Sequence, residues 1–267
     1  SLIPLHLYEE RSMAMRLAKQ VALSGAGALL GGFVHSTNWS PQALRNLLEA
    51  AQQHGLDVDL HVDEELNPAA QGLATTAALL QELRFEARVV CGHTCALAAQ
   101  PLEQALRTLD AVAGTPITMV SLPVTNLLLQ DAQTGVTPRQ RGLTLLKEAR
   151  ARGIPLMISS DNVQDPFCPL GSFDPLEALT TGVAAAQLTS AFDEWSDSVC
   201  RRDWLGHGVG RMPLQPGSTA DLVILPQSSV SGFPSRSQRR VVMREGRVSN
   251  GEPLAAWFTP CIERSVA

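Results

Sequence analysis

A parallel α/β barrel of the (β/α)8 TIM-barrel kind is the fold this sequence predicts, and three observations predict it. Five apolar, strand-like stretches, residues 28–35, 58–61, 87–93, 117–126 and 155–161, recur at roughly thirty-residue spacing, about one βα unit. Amphipathic stretches long enough to be helices lie between them. Each strand-like stretch finishes in a residue capable of chemistry: His35, His61, His93, Asn126 or Asp161. Working side chains in such barrels stand at the C-terminal strand ends, so one repeat predicts both a scaffold and a site built on it.

Residues 2–7 are a short apolar run, read as a first strand, and residues 9–23 set apolar Met13, Met15, Leu17, Val21 and Leu23 among charges, as a helix does. The Gly-bearing strand to His35 is followed by Ser40-Pro41, an N-cap and first-turn pair for a helix over 42–54 that Gly55 stops. A strand over 56–61, a polar loop through Asn67-Pro68 and a helix over 73–83 come next; a strand over 88–92 and a helix over 102–112 repeat the unit. The strand 117–122 runs into Pro123 and a long predicted loop to Pro138. A cationic amphipathic helix over 139–152, closed by Gly153, then precedes the last barrel strand, 154–159. A helix over 175–188 continues as irregular helix to about Trp204. From Gly206 glycines and prolines punctuate the chain, and 221–225 and 239–244 read as short strands of a small β appendage. The domain reading is therefore a barrel over 1–205 and a separate β unit over 206–267. A generous count finds six barrel strands where closure needs eight, so two are expected to be missing from the front.

The 267 residues are 45% hydrophobic, enough for a large core, and the formal net charge of -5 argues against the basic surface of a nucleic-acid binder. The Arg-containing segment 234–240 reads as a solvated loop. No apolar run approaches the ~18 residues of a membrane span, and residues 1–6 do not resemble a signal peptide. Five scattered cysteines (Cys91, Cys95, Cys168, Cys200 and Cys261) argue against a disulfide framework and for a reducing, cytoplasmic setting. Cys91 and Cys95 flank His93, but no second ligand pair closes a zinc motif, so both are read as packing residues.

The chemistry concentrates at three strand ends. In His61-Val62-Asp63-Glu64 a strand-end histidine can bind a divalent metal, with Glu64 reaching back as a general acid/base. A core histidine beside a merely solvated acidic loop is the other reading. Gly92-His93-Thr94 follows one unit later and is expected to hold the position on its strand equivalent to that of His61. Asp161 ends an apolar strand, where an unpaired carboxylate is costly unless a metal or imidazolium relieves it; a loop-capping role is the alternative. His35 and His6 end apolar runs and could line the same mouth, His54 reads as a helix C-terminal dipole partner, and His207 is assigned no role.

These residues fall within longer motifs. His61-Val62-Asp63-Glu64, Gly92-His93-Thr94, Leu122-Pro123-Val124-Thr125-Asn126 and Ser160-Asp161-Asn162-Val163-Gln164-Asp165-Pro166-Phe167 occur in the order found in bacterial cytosine deaminases of the amidohydrolase superfamily, which the chain resembles. Arg141-Gly142-Leu143-Thr144 and Pro169-Leu170-Gly171 fall where that family has similar motifs. Pro216-Gly217-Ser218-Thr219-Ala220-Asp221 resembles the superfamily's entry into a small β-sandwich, of which 206–267 would be part. The resemblance implies one divalent ion, zinc or iron, with His61 and Asp161 as ligands and His93 as a third ligand or as the group orienting water or substrate. It implies Glu64 as proton shuttle and Asp161 as acceptor of the water proton. His6, Asn162 and Phe167 would contact the substrate: Asn162 stands where the family has a second aspartate, and Phe167 where it has a tryptophan. The family's first-strand His-x-His pair is absent. The implied reaction is hydrolytic deamination of a cytosine-like aminopyrimidine, with another cyclic C–N bond, as in an amino-triazine, or an inactive fragment as alternatives. The implied partners are a small heterocycle and either further copies of the chain or the missing N-terminal segment.

Overall fold

The structure is a computed structural model; it describes residues 3–188, 191–206, 216, 219–225, 232–234 and 239–249. Five strands, β1 (Leu30–Val34), β2 (Val58–Val62), β3 (Val89–His93), β4 (Ile117–Ser121) and β5 (Leu156–Ile158), pair in chain order, all parallel. Helices α1 (Arg11–Ser24), α2 (Pro41–His54), α3 (Gly72–Leu83), α4 (Leu102–Ala113), α5 (Pro123–Leu129), α6 (Leu146–Ala151) and α7 (Pro175–Ala186) alternate with them, and the short α8 (Ala191–Trp195) and α9 (Asp197–Cys200) follow. Every strand-to-strand step is thus a crossover, as a parallel sheet requires. Leu60, Val89, Cys91, Ile117, Met119 and Leu156 meet Leu44, Leu47, Leu80, Ala105 and Leu109 in one continuous buried core.

Local chemistry explains the element ends. Ser40 caps α2 by accepting from the Ala43 N–H at 3.2 Å, Pro41 occupies the first helical turn, and Gly55 ends the helix at φ +63, a left-handed geometry glycine adopts without strain. Asp174 caps α7 through the Leu176 N–H. A second, antiparallel sheet joins β6 (Leu222–Ile224), β7 (Val241–Arg244) and β8 (Arg247–Val248). The Arg240 guanidinium ties it to α7 through both carboxylate oxygens of Asp174, at 2.8 and 2.7 Å.

Three expectations are corrected. The described part of the run 2–7, from Ile3, is not a strand: Pro4, lacking an N–H, makes a single bridge to Phe33, and Leu5–Tyr8 turn as a 3-10 helix whose Tyr8 hydroxyl donates to the Gly31 carbonyl at 2.7 Å. The described residues therefore contain five barrel-type strands rather than six. The loop predicted after Pro123 contains α5, because a proline at the first helical position starts a helix as readily as it breaks one. The helix predicted over 139–152 shrinks to α6. Upstream of it, the Arg139 and Gln140 N–H groups go to Asp131, and Gly142 stands at φ +66. His207 and Cys261, with much of the predicted β-sandwich segment, lie outside the described residues.

Candidate active site

His61 lies on β2 between two buried valyl and leucyl neighbours, opposite Gly92 of β3, while His93 is opposite Val62. The two histidines are therefore offset by one residue, which corrects the equivalent strand positions expected from the sequence. Pleat alternation alone would send His93 to the face opposite His61. The chain departs from the pleat there: His93 and Thr94 adopt φ +68 and +50, left-handed values unusual for non-glycine residues. The ring of His93 thereby reaches His61, Nε2 to Nδ1 at 3.0 Å, with centroids 4.8 Å apart. Asp63 and Asp161, at the ends of β2 and β5, have φ +50 and +63. Unfavourable backbone thus collects at the strand ends where the candidate site residues stand.

Asp63 itself is structural. Its buried carboxylate accepts the Gly72 and Leu73 N–H groups at 3.0 and 2.9 Å, satisfying the open N-terminus of α3. A Cβ at Gly72 would collide with Asp63 Oδ1, so only glycine lets the helix start so close. This anchors the turn after β2 and turns Glu64 back over the strand ends, where its Oε1 lies 3.3 Å from His93 Nδ1. Ligand-type atoms of His61, Glu64 and His93 all lie within 4.8 Å of one another, a grouping able to hold a metal ion.

Electrostatics bind Asp161 to the same group. Burial, and then the charge of Asp161, pushes the Glu64 carboxyl up to about 7. Burial raises that of Asp161 as well, against the attraction of His61, and its Oδ2 is buried without a hydrogen-bond partner. His93 is pushed down to about 3 by burial and by neighbouring His61, so its ring is neutral near pH 7.

The remaining predicted residues distribute differently. Asn162 and Phe167 sit on the loop after β5, where Asn162 donates to Asp165 and Asp165 accepts the Phe167 and Cys168 N–H groups; Phe167 is 67% exposed. His6 is exposed on the 3-10 turn and makes no hydrogen bond or ion pair with His61, Glu64 or His93. His35 accepts from its own loop at the Thr37 N–H. Cys91 and Cys95 are buried, free thiols whose pKa burial raises, in keeping with packing. Sequence reasoning took Asn126 as the end of a strand over 117–126, but β4 stops at Ser121 and Asn126 stands in α5; Gln130 was assigned no role. Asn126 Nδ2 is 3.0 Å from His93 Nδ1, and Gln130 Nε2 donates to the Glu64 carbonyl at 3.2 Å. Their four-residue spacing after Pro123 was the available signal.

Residues 8–249 match the model of the amidohydrolase family, and the chain belongs to that family. It is 40% identical over 227 residues to a pterin deaminase of Rhizobium rhizogenes strain K84, an alignment covering 84% of this chain and 52% of that protein. It is similar in fold to 5-methylcytosine deaminase from Klebsiella pneumoniae liganded with phosphonocytosine: TM-score 0.74 and 24% identity, over 93% of this chain and 62% of that one. N-isopropylammelide isopropylaminohydrolase from Burkholderia multivorans gives a TM-score of 0.68 at 23% identity, over 88% and 58%. The chain spans about half the length of the curated relative it matches. Among the described residues no helix is long and apolar enough to cross a membrane.

Proposed function

We propose that the protein is a metal-dependent hydrolase that removes the exocyclic amino group from an aminopyrimidine-containing heterocycle, and that a pterin is the first substrate to try. The observation that carries this is the convergence of His61, Glu64 and His93 at parallel strand ends, beside the unpartnered carboxylate oxygen of Asp161. The pterin deaminase relative supports the particular ring. The cytosine-like ring expected from the motifs has the support of fold similarity.

The donor set fits a divalent ion, since imidazole and carboxylate together suit zinc or iron. His61, His93 and Asp161 would hold it, and when bound it would supply Lewis-acid activation of water near neutral pH. Glu64 carries a proton to a ring nitrogen of the substrate, a task its raised pKa suits. Asp161 accepts a proton from the attacking water. Water adds to the carbon bearing the amino group, the C–N bond breaks, and ammonia leaves with the second proton. His93, being neutral, orients its partner by hydrogen bonding rather than by charge. Asn162, Phe167 and His6 face the substrate in this reading.

The same reading divides the chain near residue 205 into barrel and β-sandwich parts. Five parallel strands among the described residues, against the eight of a closed barrel, support association at the sheet edges, with further amidohydrolase chain or a second copy. The unpaired state of the described cysteines supports a cytoplasmic setting. The test is ammonia release from pterin, cytosine and an amino-triazine, with metal content measured on the same sample. Release from pterin that a chelator abolishes and added metal restores is expected. A metal-replete protein that releases ammonia from none of the three would overturn the proposal.

A further inference from the structure

Helix α5 ends on a residue that the proposed reaction leaves idle. The Gln130 N–H closes the helix on the Asn126 carbonyl at 2.9 Å, and its side-chain amide donates to the Glu64 carbonyl at 3.2 Å. A carbonyl oxygen only accepts, so the amide must present its NH2 end there. The other contacts that shape this turn act one residue away. The Asp63 N–H donates to the Val34 carbonyl at 2.9 Å, the Asp63 carbonyl accepts from the Ala96 N–H at 3.2 Å, and the Glu65 carboxylate accepts from the Ser36 N–H at 2.6 Å. Among the described residues, only Gln130 hydrogen-bonds to the main chain of Glu64 itself.

With the peptide planar, φ and ψ are the only soft backbone torsions. Gripping the Glu64 carbonyl therefore fixes its ψ, and with it the direction in which the side chain leaves. A separate segment keeps Gln130 in place. Gly142 lies so close, at φ +66, that a Cβ there would collide with Gln130 Cβ and stand 2.8 Å from its Cγ. Leu143 and Thr144 beyond it are buried, and the Thr144 hydroxyl lies 2.8 Å from that of Thr94, next to His93. We propose that Gln130 is a positioning residue: its amide fixes the main chain of Glu64 and so aims the carboxyl at the strand ends. This rests on the proposed role of Glu64 as proton carrier, for which a misplacement of about 1 Å can cost ~100-fold in rate.

The sequence contains two Glu–Glu peptides, Glu9–Glu10 and Glu64–Glu65. Cell-free synthesis with glutamate carrying a 13C carbonyl and 15N therefore gives two carbonyl–nitrogen signals, readable in the metal-free chain. That of Glu64 is the one lost in Glu64→Gln; that of Glu9, whose carbonyl accepts from Asn46 Nδ2 at 2.9 Å, reports folding. Gln130→Met, which loses the donor, and Gln130→Glu, which sets an acceptor against the carbonyl, should move the Glu64 carbon upfield and leave Glu9 in place. Both should lower kcat roughly 10- to 100-fold with KM and metal content unchanged. In a Glu64→Gln background Gln130→Met should cost less than about twofold, because its effect runs through Glu64. A wild-type Glu64 carbon already at the upfield position of an unbonded carbonyl would overturn the inference even if neither variant folds. So would an unchanged kcat in folded variants, or an equal loss with and without Glu64. A Glu64 signal that answers to Gln130 in a chain releasing no ammonia would support the inference and sink the proposed function. Ammonia release with a Glu64 signal indifferent to Gln130 would do the reverse.

Discussion

Along β2, Val58, Leu60 and Val62 are fully buried against the helices, whereas Asp59 and His61, which alternate with them, are only half-buried. The difference continues across the sheet: Val89, Cys91, Ile117 and Met119 face the closed core, while Asp59, Val90, Val120 and Met157 line a cavity of about 370 Å³ that also touches Val58 and Ile158 and is not lined by His61, Glu64, His93 or Asp161. One strand thus serves two purposes because its side chains alternate with period two. The helix-facing residues supply burial free energy, roughly 1.5–3 kcal/mol for each large aliphatic side chain. The other face contributes less to stability and carries polar groups that a closed core would not tolerate.

If the two faces are separable in this way, substitutions on them should fail in different currencies. The largest effect expected is on turnover. Glu64→Gln, in a preparation that releases ammonia, should lower the rate by roughly two to four orders of magnitude, the usual contribution of general acid–base catalysis. Metal content, by elemental analysis, should stay unchanged; its loss along with activity would make Glu64 a ligand and shift the proton role elsewhere. On the packing face, Leu60→Ala should cost about 2–5 kcal/mol in denaturant unfolding. A loss well below that range would mean the helices can close over the gap and the faces are less distinct than they look.

A smaller effect should sharpen the comparison by tying charge on the site face to stability. The folded metal-free protein holds the Glu64 proton with a pKa of about 7, against 4.5 for the free side chain. The folded state therefore binds more protons than the unfolded chain between these values, and stability falls as pH rises. The contribution is fully present below about 4.5 and lost as pH climbs through about 7. Wild type should lose roughly 2 kcal/mol more than Glu64→Gln between pH 5 and pH 8. Urea midpoints of the two proteins that move in parallel over that range would show that burial does not hold this proton.

The order of elements was largely readable from the chain, because their signals are local. Ser40, Pro41 and Gly55 mark α2 within a few residues, and the apolar strands announce themselves by composition. The candidate site residues His61, Glu64, His93 and Asp161 were readable for a related reason: each follows an apolar strand, where a polar group needs an explanation. Helix α5 was not. At seven residues it is shorter than an isolated helix can be and still hold together in water, so its stability comes from packing rather than propensity. The first strand failed for the converse reason, since an apolar run beginning with Pro4 can bury Leu5 and Tyr8 from a 3-10 turn as well as from a strand.

What the sequence by itself determined, then, is the repeat of parallel strands and helices and the residue types at the ends of its strands. The meeting of His61 with His93 was decided only in three dimensions. Their strand positions are offset by one, and it takes left-handed backbone at His93 and Thr94 to bring the rings to 3.0 Å. The same holds for Asn126, which reaches His93 from a different βα unit. The physical reason is range. Caps, turns and periodicity act over a few residues. Which ring nitrogen meets which donor depends on strand register and on backbone geometry held by contacts tens of residues apart.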